Sequence, residues 1–132
     1  MEEYTRQDIY KYIHPNTIKS NTEAYDHLYK MMVNTTLEGA TASHKGRAER
    51  RDNYAFLKQV NVPALVIAGE QDFFFPIEKM REMANEIPHV QFKVVLNSGH
   101  MPNMEQPVEF NKLLVSFYDG LNTTGAKINK AP

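Results

Sequence analysis

Two side chains that can exchange a proton stand at equivalent places in this chain. Asp72 comes four residues after the apolar run of residues 64–68, and His100 comes four residues after a second apolar segment, residues 91–96. A carboxylate beside an imidazole can hold one tautomer of the ring and stabilise its protonated form. If the fold brings the two together, they make the acid and base half of a nucleophile–histidine–acid triad.

The elements around these residues predict such a meeting. Residues 64–68 form a continuous apolar run closed by Gly69, which is typical of a strand buried on both faces, as in a parallel sheet. A helix is expected from Pro76 to Pro88, then the second strand, then a final helix that begins near Pro107. The order β-α-β-α implies parallel strands, whose carboxyl ends lie at one edge of the sheet. Reactive groups of open parallel sheets collect at that edge.

The first part of the chain is predicted to be helical. Ser20 and Glu23 have capping-box spacing, and Gly39 is expected to interrupt the helix that follows. A short helix is expected around residues 54–59. The apolar face of the first helix comprises Tyr25, Leu28, Tyr29, Met32 and Val33.

Composition excludes several classes of function. Fifteen Lys and Arg against sixteen Asp and Glu give a formal net charge of −1, which argues against a nucleic-acid binder and a polybasic membrane-surface protein. There are no cysteines and no histidine pairs at metal-ligand spacing, so no metal site and no cofactor are expected. An acidic, polar start and short apolar runs predict neither a signal peptide nor a membrane span, and a cytoplasmic protein is the expectation.

Several segments of residues 46–117 together resemble the C-terminal part of an α/β-hydrolase of the esterase and lipase type. They are Val-Pro-Ala-Leu-Val-Ile-Ala-Gly-Glu-Gln-Asp at 62–72, Phe-Pro at 75–76, Ile-Pro at 87–88, Ser-Gly-His at 98–100, Glu-Gln-Pro-Val-Glu-Phe-Asn at 105–111 and the linking segment 46–52. In that family the triad runs Ser, acid, His along the chain. The resemblance implies that Asp72 is the triad acid and His100 the general base. It implies a helical lid remnant and connector (1–57) followed by the C-terminal β-α-β-α part of the hydrolase domain (58–121). Residues 122–132 have little to bury and are expected to form a disordered tail.

The nucleophile that the resemblance calls for is missing from the sequence. No Gly-x-Ser-x-Gly occurs, and the four serines are Ser20, Ser43, Ser98 and Ser116. Ser98 shares the loop of His100 and does not sit on an elbow aimed at it. Glu105 is interpreted as an acid that compensates the dipole of the last helix. The run Phe73-Phe74-Phe75 either lines an acyl pocket or packs under the lid.

Three functional hypotheses follow. The first is a segment of a serine hydrolase acting on a small ester or related carboxylic derivative, which supplies the acid and base of the triad. The second is a non-catalytic binding or assembly module, since a two-stranded sheet leaves edges open for pairing. The third is a truncated product. The expected partners are an ester-like small molecule and either an N-terminal hydrolase half or a second copy.

Overall fold

The computed structural model describes residues 1–123. In the second half of the chain, the two strands and the helix between them follow one another in the predicted order. Two short 3₁₀ segments, Ile9–Lys11 and Tyr54–Gln59, lie between the longer elements, and the second stands where a short helix was predicted. The helices and strands are α1 (Glu2–Asp8), α2 (Pro15–Ser20), α3 (Thr22–Asn34), α4 (Leu37–Ala48), β1 (Ala64–Gly69), α5 (Ile77–Asn85), β2 (Val90–Val95), α6 (Pro102–Glu105) and α7 (Pro107–Thr123).

The predicted parallel pairing of the two strands is confirmed. β1 and β2 align in register from Ala64 opposite Val90 to Gly69 opposite Val95. Helix α5 connects them and packs against both, as a parallel crossover requires. Both strands therefore end at the same edge, which is where the loops carrying the acid and the imidazole begin.

The expectation that the first strand is buried on both faces is wrong for most of its length, and the second strand is also largely uncovered. Only Ala68 and Gly69 of β1 and Val95 of β2 are buried, whereas the other residues of β1 are half-buried and those of β2 alternate between half-buried and exposed. Leu96, expected in the second strand, lies beyond its end and is 62% exposed. Strands of a parallel sheet are buried by neighbouring strands and helix layers, and within residues 1–123 this sheet has two strands only.

The N-terminal helices begin at caps that differ from the predicted ones. Asn21, not Ser20, caps α3: its Oδ1 accepts from the Ala24 amide at 3.2 Å, while the Ser20 hydroxyl closes the preceding helix by donating to the Asn16 carbonyl. The helical segment is interrupted at residues 35–36, between the end of α3 and the start of α4, rather than at Gly39. Thr36 caps α4 by accepting from the Gly39 amide at 3.0 Å, so this glycine lies in the first turn.

A small apolar core joins the N-terminal helices to the segment that follows His100. Its buried residues are Ile9, Ile13 and Leu28, and Met101 and Met104 pack against them. Four of the five residues predicted for the apolar face of α3 belong to this core or pack against it, namely Tyr25, Leu28, Tyr29 and Met32, and the fifth, Val33, is half-buried. The N-terminal segment is thus held against the loop that carries the candidate general base.

The apolar side chains of helix α7 are only partly covered. Phe110, Leu113 and Phe117 are half-buried, whereas Val108 and Leu114 are 82% and 47% exposed. The helix continues to Thr123, so residues 122–123 of the predicted tail are helical, and residues 124–132 lie outside the described residues. No helix within residues 1–123 has the length and hydropathy needed to cross a membrane, and the cytoplasmic location stays a prediction.

Candidate active site at the carboxyl ends of the strands

Asp72 and His100 meet at the edge of the sheet. Their contact joins Asp72 Oδ2 to His100 Nδ1 at 2.9 Å, and the two side chains are 10% and 30% exposed. A proton on Nδ1 can be donated to the carboxylate, which leaves Nε2 free to accept one. The arrangement can therefore bind and release a proton at Nε2 while the acid steadies the ring.

The loop after β1 fixes the orientation of Asp72. Its Oδ1 accepts from the backbone amides of Phe74 at 2.8 Å and Phe75 at 3.1 Å, the pattern of an Asx turn. The second oxygen, Oδ2, is thereby directed at the imidazole. The aspartate is a turn former and an imidazole partner at the same time.

Two glycines allow the loops to approach this closely. A Cβ built on Gly69 would lie 1.8 Å from the Gly99 carbonyl oxygen, and one on Gly99 would lie 3.0 Å from the His14 nitrogen. The absence of side chains lets the Gln71 amide donate to the Ser98 carbonyl at 2.9 Å. This crossing of the two strand-end loops sets the separation of Asp72 and His100.

Three aromatic rings surround the imidazole. Phe75 stacks on His100 with ring centroids 5.8 Å apart and planes at 25°, whereas Phe74 and Tyr12 present tilted rings at 5.0 and 6.0 Å. Phe74 also packs on Tyr12 at 4.9 Å. Phe74 thus contacts both the N-terminal segment and the histidine, whereas Phe75 stacks on the histidine and lines the neighbouring cavity.

An open cavity of about 380 Å³ lies beside the pair. Asp72 and His100 supply its polar groups, and its other lining residues are Ile67, Gly69, Phe75, Met80, Met83 and Pro102. The apolar lining suits the hydrocarbon part of a small ligand whose reacting group lies at the imidazole. A larger cavity of about 600 Å³ between α3 and α6 has neither Asp72 nor His100 in its lining.

Lys11 stands at the margin of the site. Its Nζ lies 5.9 Å from the centroid of the Phe73 ring and 2.5 Å from Asp8 Oδ1. The hydrogen bond from Lys11 lowers the pKa of Asp8 below its ordinary 3.8, against a smaller opposing effect of burial. The same bond raises the pKa of Lys11 above 10.5. Lys11 therefore carries a persistent positive charge near the aromatic run.

Ser98 is not placed to act as the nucleophile. It is fully buried, and its hydroxyl donates to the Val95 carbonyl at 2.9 Å. Within residues 1–123 no group of three His, Asp or Glu side chains is placed to hold a metal ion.

Sequence reasoning missed the part played by Glu105. This last residue of α6 is 4% exposed, and its carboxylate accepts hydrogen bonds from His14, Thr17, Gly99 and Met101. It is a buried acceptor rather than a surface acid at a helix terminus. Nothing in the spacing of the single sequence points to this, because two of its donors lie about ninety residues away.

Comparison with known proteins gives concordant matches. A family model described as alpha/beta hydrolase fold matches residues 23–107. A homoserine O-acetyltransferase of Chloroherpeton thalassium is 29% identical over 70% of this chain, and the carboxylesterase YbfK of Bacillus subtilis is 34% identical over 48% of it. A solved thermophilic esterase from Thermogutta terrifontis superimposes with a TM-score of 0.85 and 30% identity over 89% of this chain.

These matches also define how much of a hydrolase the chain represents. It spans 25% of the acetyltransferase, 22% of the carboxylesterase and 43% of the solved esterase. The resemblance inferred from the segments at 62–72 and 98–100 is confirmed, and with the family model covering well over half of its residues this chain belongs to the α/β-hydrolase fold family.

Proposed function

We propose that this chain is the C-terminal segment of a serine hydrolase acting on a small ester or related carboxylic derivative, and that it contributes Asp72 and His100 as acid and base. The observation that carries the proposal is the 2.9 Å contact between Asp72 Oδ2 and His100 Nδ1 beside an apolar cavity. Membership of a family that includes esterases supports the reaction class.

The proton route follows from the geometry of the pair. With Nδ1–H donated to Asp72, Nε2 of His100 accepts the proton of a serine hydroxyl as its oxygen attacks the carbonyl carbon. Asp72 stabilises the imidazolium that forms. His100 then gives this proton to the departing alkoxide, which leaves an acyl-enzyme, and the same residue activates the water that hydrolyses it.

The serine is supplied from outside the chain in this proposal. Ser98 is buried and bound to a backbone carbonyl, and Ser20 donates to the Asn16 carbonyl at 2.8 Å. No Gly-x-Ser-x-Gly elbow is present in the sequence. We therefore propose an N-terminal hydrolase half, which carries the nucleophile and the oxyanion hole, as the partner that completes the enzyme.

Exposed apolar surface supports such a partner. Val62 and Leu96 flank the strands and are 58% and 62% exposed, and Val108 and Val115 on α7 are 82% and 57% exposed. The two-stranded sheet also has open backbone edges, which pair readily with a further strand. Self-association would cover the same surface in the absence of the partner.

Residues 1–57 act as the lid and connector in this scheme. Their contacts at the site support it, because the Tyr12 carbonyl accepts from the His100 amide at 2.9 Å and the Tyr12 ring packs on Phe74. The cavity lined by Phe75, Met80 and Met83 is proposed to hold the apolar part of the ester.

The test is complementation. The purified chain is mixed with a polypeptide that carries the first half of an esterase fold and its Gly-x-Ser-x-Gly, and turnover of a p-nitrophenyl ester and labelling by a serine-directed fluorophosphonate are measured. We expect neither saturable turnover nor labelling from the chain alone, and both from the mixture. His100→Gln abolishes turnover and Asp72→Asn lowers it by about 10⁴-fold, because the ring is then held in the wrong tautomer.

The exposed His89→Gln variant is the matched control and keeps full activity. Equal turnover of the His100→Gln and His89→Gln mixtures would refute the assignment of the base. Saturable turnover and stoichiometric labelling of the isolated chain would refute an external nucleophile.

The exposed apolar surface and the open strand edges also favour a second candidate function, a non-catalytic assembly module. This candidate predicts a stable complex with the esterase half that has no His100-dependent turnover. A truncated product without function predicts no complex at all.

A further inference from the structure

Glu105 is a charged side chain in a buried position. It is 4% exposed and is the only Asp, Glu, Lys or Arg that is buried among residues 1–123. No ion pair involving it is found in that part of the chain. A buried charge without a counter-ion is retained only where hydrogen bonds replace its hydration.

Four donors provide that replacement, two on each oxygen. Oε1 accepts from the amides of Gly99 at 2.7 Å and Met101 at 3.2 Å. Oε2 accepts from the amide of His14 at 2.6 Å and the hydroxyl of Thr17 at 2.7 Å. One carboxylate thus holds the loop after β2 with one oxygen and the N-terminal segment with the other.

The two donors on Oε1 are the residues on either side of His100. The amide of His100 itself donates to the Tyr12 carbonyl at 2.9 Å. Three consecutive amides are therefore anchored, two by Glu105 and one by the N-terminal segment that Glu105 also holds. The direction of the His100 side chain follows from the backbone so fixed.

We propose that Glu105 is a positioning residue for His100, and that it couples the N-terminal segment to the histidine loop. The coupling is a property of the chain itself. Its meaning for catalysis depends on the proposed function, whereas its existence does not.

The arrangement demands a carboxylate and not merely an acceptor. Each oxygen receives at least one backbone N–H, and a backbone N–H cannot turn round to accept. In Glu105→Gln the amide NH₂ must face a backbone donor in either orientation. An isosteric substitution thus leaves at least one buried donor without a partner, a strong perturbation for a change of one atom.

The experiment uses the full chain labelled with ¹⁵N and compares the wild type, Glu105→Gln and Glu109→Gln. Glu109 is an exposed acid in the first turn of α7 and serves as the matched control. Amide exchange reports the anchoring of Gly99, Met101 and His14. The ¹⁵N shifts of the His100 ring report its tautomer, which loss of packing elsewhere would not alter.

In Glu105→Gln we expect exchange to accelerate by about tenfold or more at the amides that face the new NH₂, the loss expected when a buried donor is orphaned. These amides are Gly99 and Met101 in one orientation of the side chain and His14 in the other. The His100 ring should change from one tautomer, with the proton on Nδ1, to a mixture. Amides of β1 and β2 should match the wild type, and in Glu109→Gln the amides of Gly99, Met101 and His14 and the His100 ring should match it as well. Unchanged exchange at all three amides, or an unchanged tautomer, overturns the proposal.

A measurement on the wild type covers the case in which Glu105→Gln does not fold. Scalar couplings across the hydrogen bonds from the Gly99 and His14 nitrogens to the Glu105 carboxyl carbon should be detectable, and their absence overturns the proposal. If these scalar couplings are present but the complementation assay fails, the proposed hydrolase function is rejected. The link that Glu105 makes between the N-terminal segment and the histidine loop then still stands.

Discussion

Replacing Gly69 by alanine tests the close crossing that sets the site. The new Cβ would lie 1.8 Å from the Gly99 carbonyl oxygen, whereas ordinary contact begins at 3.4 Å, so the two loops must separate by about 1.6 Å. All three of the nearest atoms belong to the backbone of residues 98 and 99, which cannot turn aside as a flexible side chain does.

The expected loss of stability follows from that displacement. Overpacking of this kind raises the free energy of the native state by about 1–3 kcal/mol. The same movement stretches the bonds from the Gln71 amide to the Ser98 carbonyl and from the Glu70 amide to the Val95 carbonyl, each worth about 0.5–1.5 kcal/mol. The free energy of unfolding should fall by about 2–6 kcal/mol.

Urea unfolding followed by circular dichroism measures this loss, and the ¹⁵N shifts of the His100 ring follow the contact with Asp72. Gly46→Ala is the control: Gly46 lies in the exposed helix α4 with nothing within 4 Å of its added Cβ, and alanine there should stabilise by up to about 1 kcal/mol. If Gly69→Ala unfolds within about 0.5 kcal/mol of the wild type, with the His100 signals unchanged, the steric argument is refuted.

Three further outcomes are expected. Thr5 is fully buried and its hydroxyl lacks a hydrogen-bond partner within residues 1–123, so Thr5→Val should raise the free energy of unfolding by about 1 kcal/mol. Thr17→Val removes a donor to a buried carboxylate and should lower the free energy of unfolding. Equal effects of the two variants in urea titrations would contradict the hydrogen-bond assignment. The lowered pKa of Asp8 means that its bond to Lys11 stabilises the fold above about pH 3.8 and is lost as the pH falls through the lowered value. The free energy of unfolding of Asp8→Asn, taken from thermal melts, should be lower than that of the wild type by under about 1 kcal/mol at pH 7, and the difference should shrink as the pH falls below 3.8; a difference that stays constant through the acid range would contradict this. Because Val108 is 82% exposed on α7, Val108→Lys should weaken any self-association seen by sedimentation velocity, and an unchanged dissociation constant would remove this face from the interface.

Local patterns were sufficient to predict the elements that carry the site. A continuous apolar run closed by glycine marks β1, and the Pro-bounded helix between the strands makes the pairing parallel. Since parallel strands end at one edge, Asp72 and His100 were expected side by side without knowledge of any distance, and they lie 2.9 Å apart. Their assignment as the acid and base of a triad stays a prediction.

Local patterns failed where two nearby solutions compete. Ser20 and Asn21 both suit the start of α3, and the choice falls to Asn21 because α2 extends through Ser20 and occupies its hydroxyl. The prediction that the strands are buried failed for another reason. An apolar strand is buried only as far as neighbouring layers cover it, and the described part of the chain supplies one partner strand.

The sequence by itself determined the order β1, α5, β2, α7 and the edge at which Asp72 and His100 meet, because these depend on periodicity and on the geometry of parallel strands. The family came from the resemblance of short segments to the α/β-hydrolases, which the family match confirms. Tertiary structure alone decided the environment of Glu105. Its donors come from positions 14, 17, 99 and 101, and only packing of the N-terminal segment against the loop after β2 brings them to one carboxylate. The physical reason is that a buried charge is stabilised by whichever donors the fold gathers around it, and those donors leave no spacing in the sequence.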